Sequence, residues 1–124
     1  MTNNNIAVVY REQGKYGDVL VWYNKSLSIK EKVLGKEHPS TAATYDSIAL
    51  VYNNQGKYAD ALEWHMKALI ILEKVLGTEH PDTATTYNNI AVTYGNLGKH
   101  NEELTLYQKT LNILEKMLDS VYTR

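Results

Sequence analysis

The feature that most limits what this chain can fold into is its internal period. Gln13-Gly14-Lys15-Tyr16 returns as Gln55-Gly56-Lys57-Tyr58 and, in altered form, as Leu97-Gly98-Lys99-His100, which places the three glycines 42 residues apart. Glu31-Lys32-Val33-Leu34-Gly35 matches Glu73-Lys74-Val75-Leu76-Gly77 in the same register, and Glu37-His38-Pro39 matches Glu79-His80-Pro81. Ile6-Ala7, Ile48-Ala49 and Ile90-Ala91 recur as well. A chain built this way makes its core by stacking like units, because one unit cannot bury its own apolar face.

Each unit reads as two helices. In the central unit Tyr45, Ile48, Ala49 and Tyr52 fall at i, i+3, i+4 and i+7, one apolar stripe, and Gly56 follows with the backbone freedom a tight turn requires. This is helix A. Tyr58 to Leu76 carries Leu62, His65, Met66, Leu69, Ile70, Leu72 and Val75 without an internal Pro or Gly, and Gly77 stands where a left-handed C-cap would end a helix B. Pro81 then disfavours helical geometry at His80, and Asp82, like Ser40 one unit earlier, is the expected cap of the next helix A. Small residues at Ala7, Ala49 and Ala91, and at Ala61 and Ala68, allow the two helices to approach closely. The pattern predicts an all-α solenoid of three antiparallel helix-turn-helix repeats in a single domain over 1–124, with units of about 1–39, 40–81 and 82–124.

The size of 124 residues leaves no room for a second, enzyme-sized domain, and the net charge of -1 gives no electrostatic footprint for nucleic acid. No apolar run approaches the ~20 residues of a membrane span, and Met1-Thr2-Asn3-Asn4-Asn5 lacks the basic and apolar regions of a signal peptide. There is no cysteine, so thiol chemistry, disulfides and zinc fingers are excluded and a reducing, cytoplasmic setting is expected.

Read together, Tyr45, Ile48-Ala49, Tyr52, Gly56, Tyr58, Ala61, His65 and Ala68 resemble the pattern of the tetratricopeptide repeats over essentially the whole chain. The units exceed the common ~34 residues, and the long helix B followed by Glu-Lys-Val-Leu-Gly-x-Glu-His-Pro is most similar to the repeats of kinesin light chains and related scaffolds. The resemblance implies a right-handed superhelix whose concave face, lined by helices A, holds an extended or helical peptide. The third unit departs from the pattern: Glu103 stands at the Ala61 position and His100 at the Tyr58 position, changes that suggest looser packing there.

Helical geometry points to the same face. With Tyr45, Ile48, Ala49 and Tyr52 turned inward, the far side of helix A carries Ala43, Asp46, Leu50, Asn53 and Asn54. The equivalents form ladders: Asn4, Asp46 and Asn88; Val8, Leu50 and Val92; Arg11, Asn53 and Gly95; Glu12, Asn54 and Asn96, with Asn5 and Asn89 at the edge. Asn offers donor and acceptors together, so a column of it can grip a peptide backbone while the Val and Leu row takes apolar side chains. Asn is also a mediocre helix former, so its concentration on helix A needs a reason. Arg11 is the one basic member against Glu12 and Asp46, which disfavours a strongly acidic ligand.

Other residues invite structural readings. Trp22 and Trp64, one period apart on helix B, read as boundary packing, with an exposed aromatic strip as the alternative. His38 and His80 read as partners of helix ends, and no His-x-x-x-His or Glu-x-x-His pair suggests a metal. No paired nucleophile and base and no phosphate loop is present, so neither catalysis nor a cofactor is expected. The competing function is self-assembly of a structural module, natural fragment or engineered, through uncapped terminal helices: Met117-Leu118-Asp119-Ser120-Val121 replaces the expected Val-Leu-Gly, and Leu106, Ile113 and Leu114 belong to a last helix B with no polar cap after it.

Overall fold

The computed structural model describes residues 16–122. Five helices follow one another: α1 (Tyr16–Val33), α2 (Pro39–Asn54), α3 (Tyr58–Val75), α4 (Pro81–Asn96) and α5 (His100–Tyr122), with no strand among the described residues. Helices α2 and α4 are the helices A of the second and third units, and α1, α3 and α5 are the helices B. The first helix A, and with it Asn4, Asn5, Val8, Arg11 and Glu12, lies outside the described residues.

The turns form where the sequence places its glycines. Gly35, Gly56, Gly77 and Gly98 all have positive φ, between 76° and 92°, a region an L side chain enters only at a cost. After α2, Gly56 N–H donates to Asn53 O and Lys57 N–H to Tyr52 O, the paired bonds of a Schellman turn; Gly98 and Lys99 repeat them after α4. The starts of α2 and α4 differ from the expected capping. Pro39 and Pro81 occupy the first helical position, and the N-caps are His38 and His80, whose Nδ1 accepts from the amides of Ser40 and Asp82 at 3.0 Å. Ser40 and Asp82 lie one step inside the helix. Proline lacks the N–H a cap would serve, so the histidine reaches past it to the next amide. Thr41 and Thr83 then tie each linker shut by donating to Gly35 O and Gly77 O.

Helices A are sandwiched. α1 packs on α2, α2 on α3, α3 on α4 and α4 on α5, and two apolar clusters result. Leu27, Ala42, Tyr45, Ile48, Ala68 and Leu72 belong to the first; Leu69, Ala84, Tyr87, Ile90 and Ile113 make the second. The inward stripe read from the sequence is at the centre: Tyr45, Ile48 and Ala49 are buried, as are Tyr87, Ile90 and Ala91. Ala42, Ala49, Ala61 and Ala68, all fully buried, let the helices of the second unit approach closely.

Polar clasps repeat with the same period. Tyr45 Oη donates to Glu31 at 2.8 Å and Tyr87 Oη to Glu73 at 2.5 Å, each tying a helix A to the helix B before it. Lys74 pairs with Glu37, and Lys116 with Glu79, but all four are well exposed and such pairs contribute little. The tyrosines matter more. Burial first, and then the Glu31 carboxylate, pushes the Tyr45 phenol up to about 12, and burial with Glu73 raises Tyr87 in the same direction. A folded-state value above the unfolded one near 10 means the protonated form is favoured by folding. The contribution is complete below pH 10 and is lost as pH rises through the folded value. Two of the ten tyrosines are therefore expected to ionise late in a 295 nm titration. The thermal midpoint should fall more steeply between pH 10 and 12 in the wild type than in a Tyr45→Phe, Tyr87→Phe double variant; parallel curves would show that the clasps do not couple to folding.

Candidate functional site

Helices α2 and α4 lie side by side and present one polar face. Ala43, Leu50 and Asn54 are exposed on α2, with Ser47 partly so; Thr85, Asn88, Val92 and Asn96 are exposed on α4, with Asn89 partly so. Positions 43, 47, 50 and 54 step by four, three and four residues, the spacing of a single helical stripe. Leu50 and Val92, 38% and 42% exposed, form an apolar rung with Asn54 and Asn96 beside it. Five candidates, Leu50, Asn54, Asn88, Val92 and Asn96, are thus brought together with free side-chain surface.

Asp46 and Asn53 are placed differently from the free groove positions expected of them. The Asp46 carboxylate accepts from Thr86 Oγ1 at 2.6 Å and stands 2.8 Å from Nδ1 of His65, and its side chain is only 16% exposed. Asn53 Nδ2 donates to Thr93 Oγ1 at 2.9 Å. Both residues sit on the edge of α2 that faces α4, so their polar atoms join consecutive helices A. The same row of α4 holds Asn88, which remains exposed, and Gly95.

His65, at an aromatic position of the repeat, is fully buried. A carboxylate can only accept, so Nδ1 carries the proton shared with Asp46 and Nε2 presents a lone pair, for which the described residues provide no partner. An unpaired acceptor costs less than an unpaired donor or charge, so this tautomer suits the site. Sequence reasoning missed this cluster because its three members come from three helices and no repeat shares all of them: Asp46 has Asn88 one period on, and His65 has Tyr107.

Glu103 meets a matching change on the facing helix. Gly95 stands where the second unit has Asn53, and a methyl group on Gly95 would collide with the Glu103 carboxylate. Glu103 lies across the bare glycine and its Oε1 reaches Nδ1 of His100 at 2.8 Å. The two departures thus meet a third, at Gly95.

The tryptophans do not form a continuous strip. Trp64 is half-buried, 5.6 Å from the Tyr45 ring and 6.5 Å from that of Tyr52, with Lys67 Nζ 4.4 Å above its centroid. Trp22 is exposed, beside Lys25. Among the described residues there is no group of three His, Cys, Asp or Glu able to hold a metal ion, and no helix long and apolar enough to cross a membrane.

A family model described as the tetratricopeptide repeat matches residues 1–53 and 42–116. Solved structures with this arrangement include the kinesin light chain nearly identical TPR-like repeats of Podosopora anserina, at 25% identity and a TM-score of 0.82 over 93% of this chain and 55% of that one. BtubC (BKLC) from P. vanneervenii aligns at 20% identity and a TM-score of 0.79, over 90% of this chain and 44% of that one. The chain therefore spans about half the length of the structures it matches. No curated protein sequence matches it.

Proposed function

Because the chain belongs to the tetratricopeptide repeat family, we propose that it is a non-catalytic interaction scaffold that holds a peptide segment of a partner protein on the face of its helices A. The observation that carries this reading is the run of exposed Asn54, Asn88 and Asn96 around the Leu50 and Val92 rung. Among the described residues these amides make no hydrogen bond that joins the repeats, unlike Asn53, and they occupy helix positions where Glu or Lys would stabilise more. The amides supply backbone hydrogen bonds to an extended segment, and the rung accepts one or two of its apolar side chains. The described part of the face carries no Lys or Arg, so the ligand is not strongly acidic. Nucleic acid and membrane are not its targets, and its setting is cytoplasmic.

A peptide-library screen against the wild type and an Asn54→Ala, Asn88→Ala, Asn96→Ala variant tests this. Losing three amides should weaken the selected peptides by about 30-fold or more, while the thermal midpoint holds or rises because Ala is the better helix former. Equal binding profiles would remove the face from consideration.

Self-association is a second reading, favoured by one specific observation. Leu104, Tyr107, Leu111, Leu114, Leu118 and Val121 are all exposed on α5 and step by three, four, three, four and three residues, the seam of a two-helix coil. The same positions on α1 and α3 pack against the following helix A: Leu27 against α2, Leu69 against α4. Near the end of α5, Asp119 stands at the position of the turn glycine and the helix runs on to Tyr122. The seam carries no charge and is self-complementary when antiparallel, with Leu111 near Leu114 of a second copy. Sedimentation over a concentration series should show a dimer that Leu111→Glu, Leu118→Glu dissociates; a protein monomeric at every concentration rules the seam out as a homotypic contact.

A further inference from the structure

The molecule makes one kind of joint twice within itself. Helix α2 lies on α1, and α4 on α3. In both joints the incoming helix presents Ala-x-x-Tyr-x-x-Ile-Ala: Ala42, Tyr45, Ile48 and Ala49 in α2, then Ala84, Tyr87, Ile90 and Ala91 in α4. All eight are buried. A leucine of the receiving helix packs with the first three, Leu27 in one joint and Leu69 in the other. The tyrosine hydroxyl is then donated to a glutamate one turn further along that helix, Tyr45 to Glu31 and Tyr87 to Glu73.

Helix α5 carries the receiving half of this joint a third time. Leu62, His65, Leu69, Leu72 and Leu76 of α3 recur one period on as Leu104, Tyr107, Leu111, Leu114 and Leu118, and Glu73 recurs as Glu115. On α3 all six are buried or partly buried. On α5 the five apolar equivalents are between 37% and 66% exposed, and Glu115 is exposed beside them. An aliphatic row alone would suit many apolar surfaces. The carboxylate narrows the choice, because at both equivalent places it takes a tyrosine hydroxyl from a helix whose small residues permit close approach.

We propose that this face of α5 docks an amphipathic helix of a partner chain that carries the helix A pattern, Ala-x-x-Tyr-x-x-Ile-Ala. Its isoleucine and first alanine pack on Leu111, and its tyrosine hydroxyl is donated to Glu115, as α4 does on α3. The recognition is that of a helix laid along an apolar stripe with anchors at helical spacing. The site is on α5 and does not depend on peptide capture by α2 and α4. It uses the same surface as the pairing of two α5 helices and differs from that pairing in requiring Glu115.

The probe is the protein's own third helix A as a free peptide, residues 78–97, titrated into the ¹⁵N-labelled full chain. A single helix of this length is marginal in water and must be ordered on docking, so a dissociation constant on the order of 0.1 mM is expected. Saturable shifts should fall on α5 around Leu111. Leu111→Glu, a change at an exposed position, should leave the circular dichroism unaltered and weaken binding by at least about tenfold. Glu115→Ala in the chain and Tyr87→Phe in the peptide should each weaken it about five- to tenfold, and together no more than either alone, because both remove the same hydrogen bond. Where the chain dimerises, sedimentation should show the peptide dissociating the dimer. No saturable shifts, shifts centred on Leu50 and Val92 instead, an effect of Glu115→Ala that adds fully to that of Tyr87→Phe, or a dimer that the peptide leaves intact would each overturn the proposal.

Discussion

Asp46→Ala should destabilise this protein by about 2–4 kcal/mol, the scale of a buried polar network that loses one member. The carboxylate is the shared acceptor of a cluster drawn from three helices: Thr86 of α4 donates to one oxygen, and His65 of α3 faces the other. Removing it strands a fully buried imidazole N–H and a fully buried hydroxyl at once. For a domain of this size the thermal midpoint should drop by about 10 °C or more. His65→Phe should be far milder, since Asp46 keeps Thr86 and the ring volume is roughly retained. In the Asp46→Ala, His65→Phe variant the loss should be smaller than the sum of the two, by about 1 kcal/mol or more, because the stranded donor is gone. Chemical denaturation of the four proteins measures this cycle. A cost under about 0.5 kcal/mol for Asp46→Ala, with peptide capture abolished, would instead make Asp46 a ligand-gripping residue.

The placement of Asp46 also shows which part of the site was legible in the sequence. Amphipathic spacing separates the inner and outer sides of one helix, and on α2 it correctly turned Tyr45, Ile48 and Ala49 inward and Ala43, Leu50 and Asn54 outward. It says nothing about a third direction, the edge that meets the next helix A. Asp46 and Asn53 lie on that edge, and only the stacking of α2 beside α4 reveals that Thr86 and Thr93 come to meet them. The turns were legible because glycine at positive φ is a local requirement. The caps were misread for the opposite reason. Asp82 and Ser40 are strong cap formers in general, but proline at the first helical position shifts the cap back to His80 and His38. The Glu31 and Tyr45 pair, repeated as Glu73 and Tyr87, was visible as a periodic coincidence, yet nothing short of the fold shows that the four side chains meet.

Transplanting the third unit's Glu into the second should be damaging, and a glycine placed on the facing helix should repair part of the damage. Ala61 is fully buried, so Ala61→Glu forces a carboxylate into a packed site, and by the repeat Asn53 stands where the third unit has Gly95. The expected cost is about 3–5 kcal/mol, enough to unfold a marginal domain. Asn53→Gly recreates what Gly95 does for Glu103. It forfeits the Asn53 bond to Thr93, whose hydroxyl still bonds Asn89 O, and about 1 kcal/mol of helix propensity. Alone it should therefore destabilise. Combined with Ala61→Glu it should recover part of the loss, and adding Tyr58→His, which supplies the partner His100 gives Glu103, should recover more. Sub-additivity is the informative result, because two independent defects in one unit would add. Additive losses for Ala61→Glu and Asn53→Gly would mean that Gly95 and Glu103 accompany each other without compensating. Rescue would show that the third unit is packed by a different local rule from the second, and that its departure from the family pattern is a repacked joint.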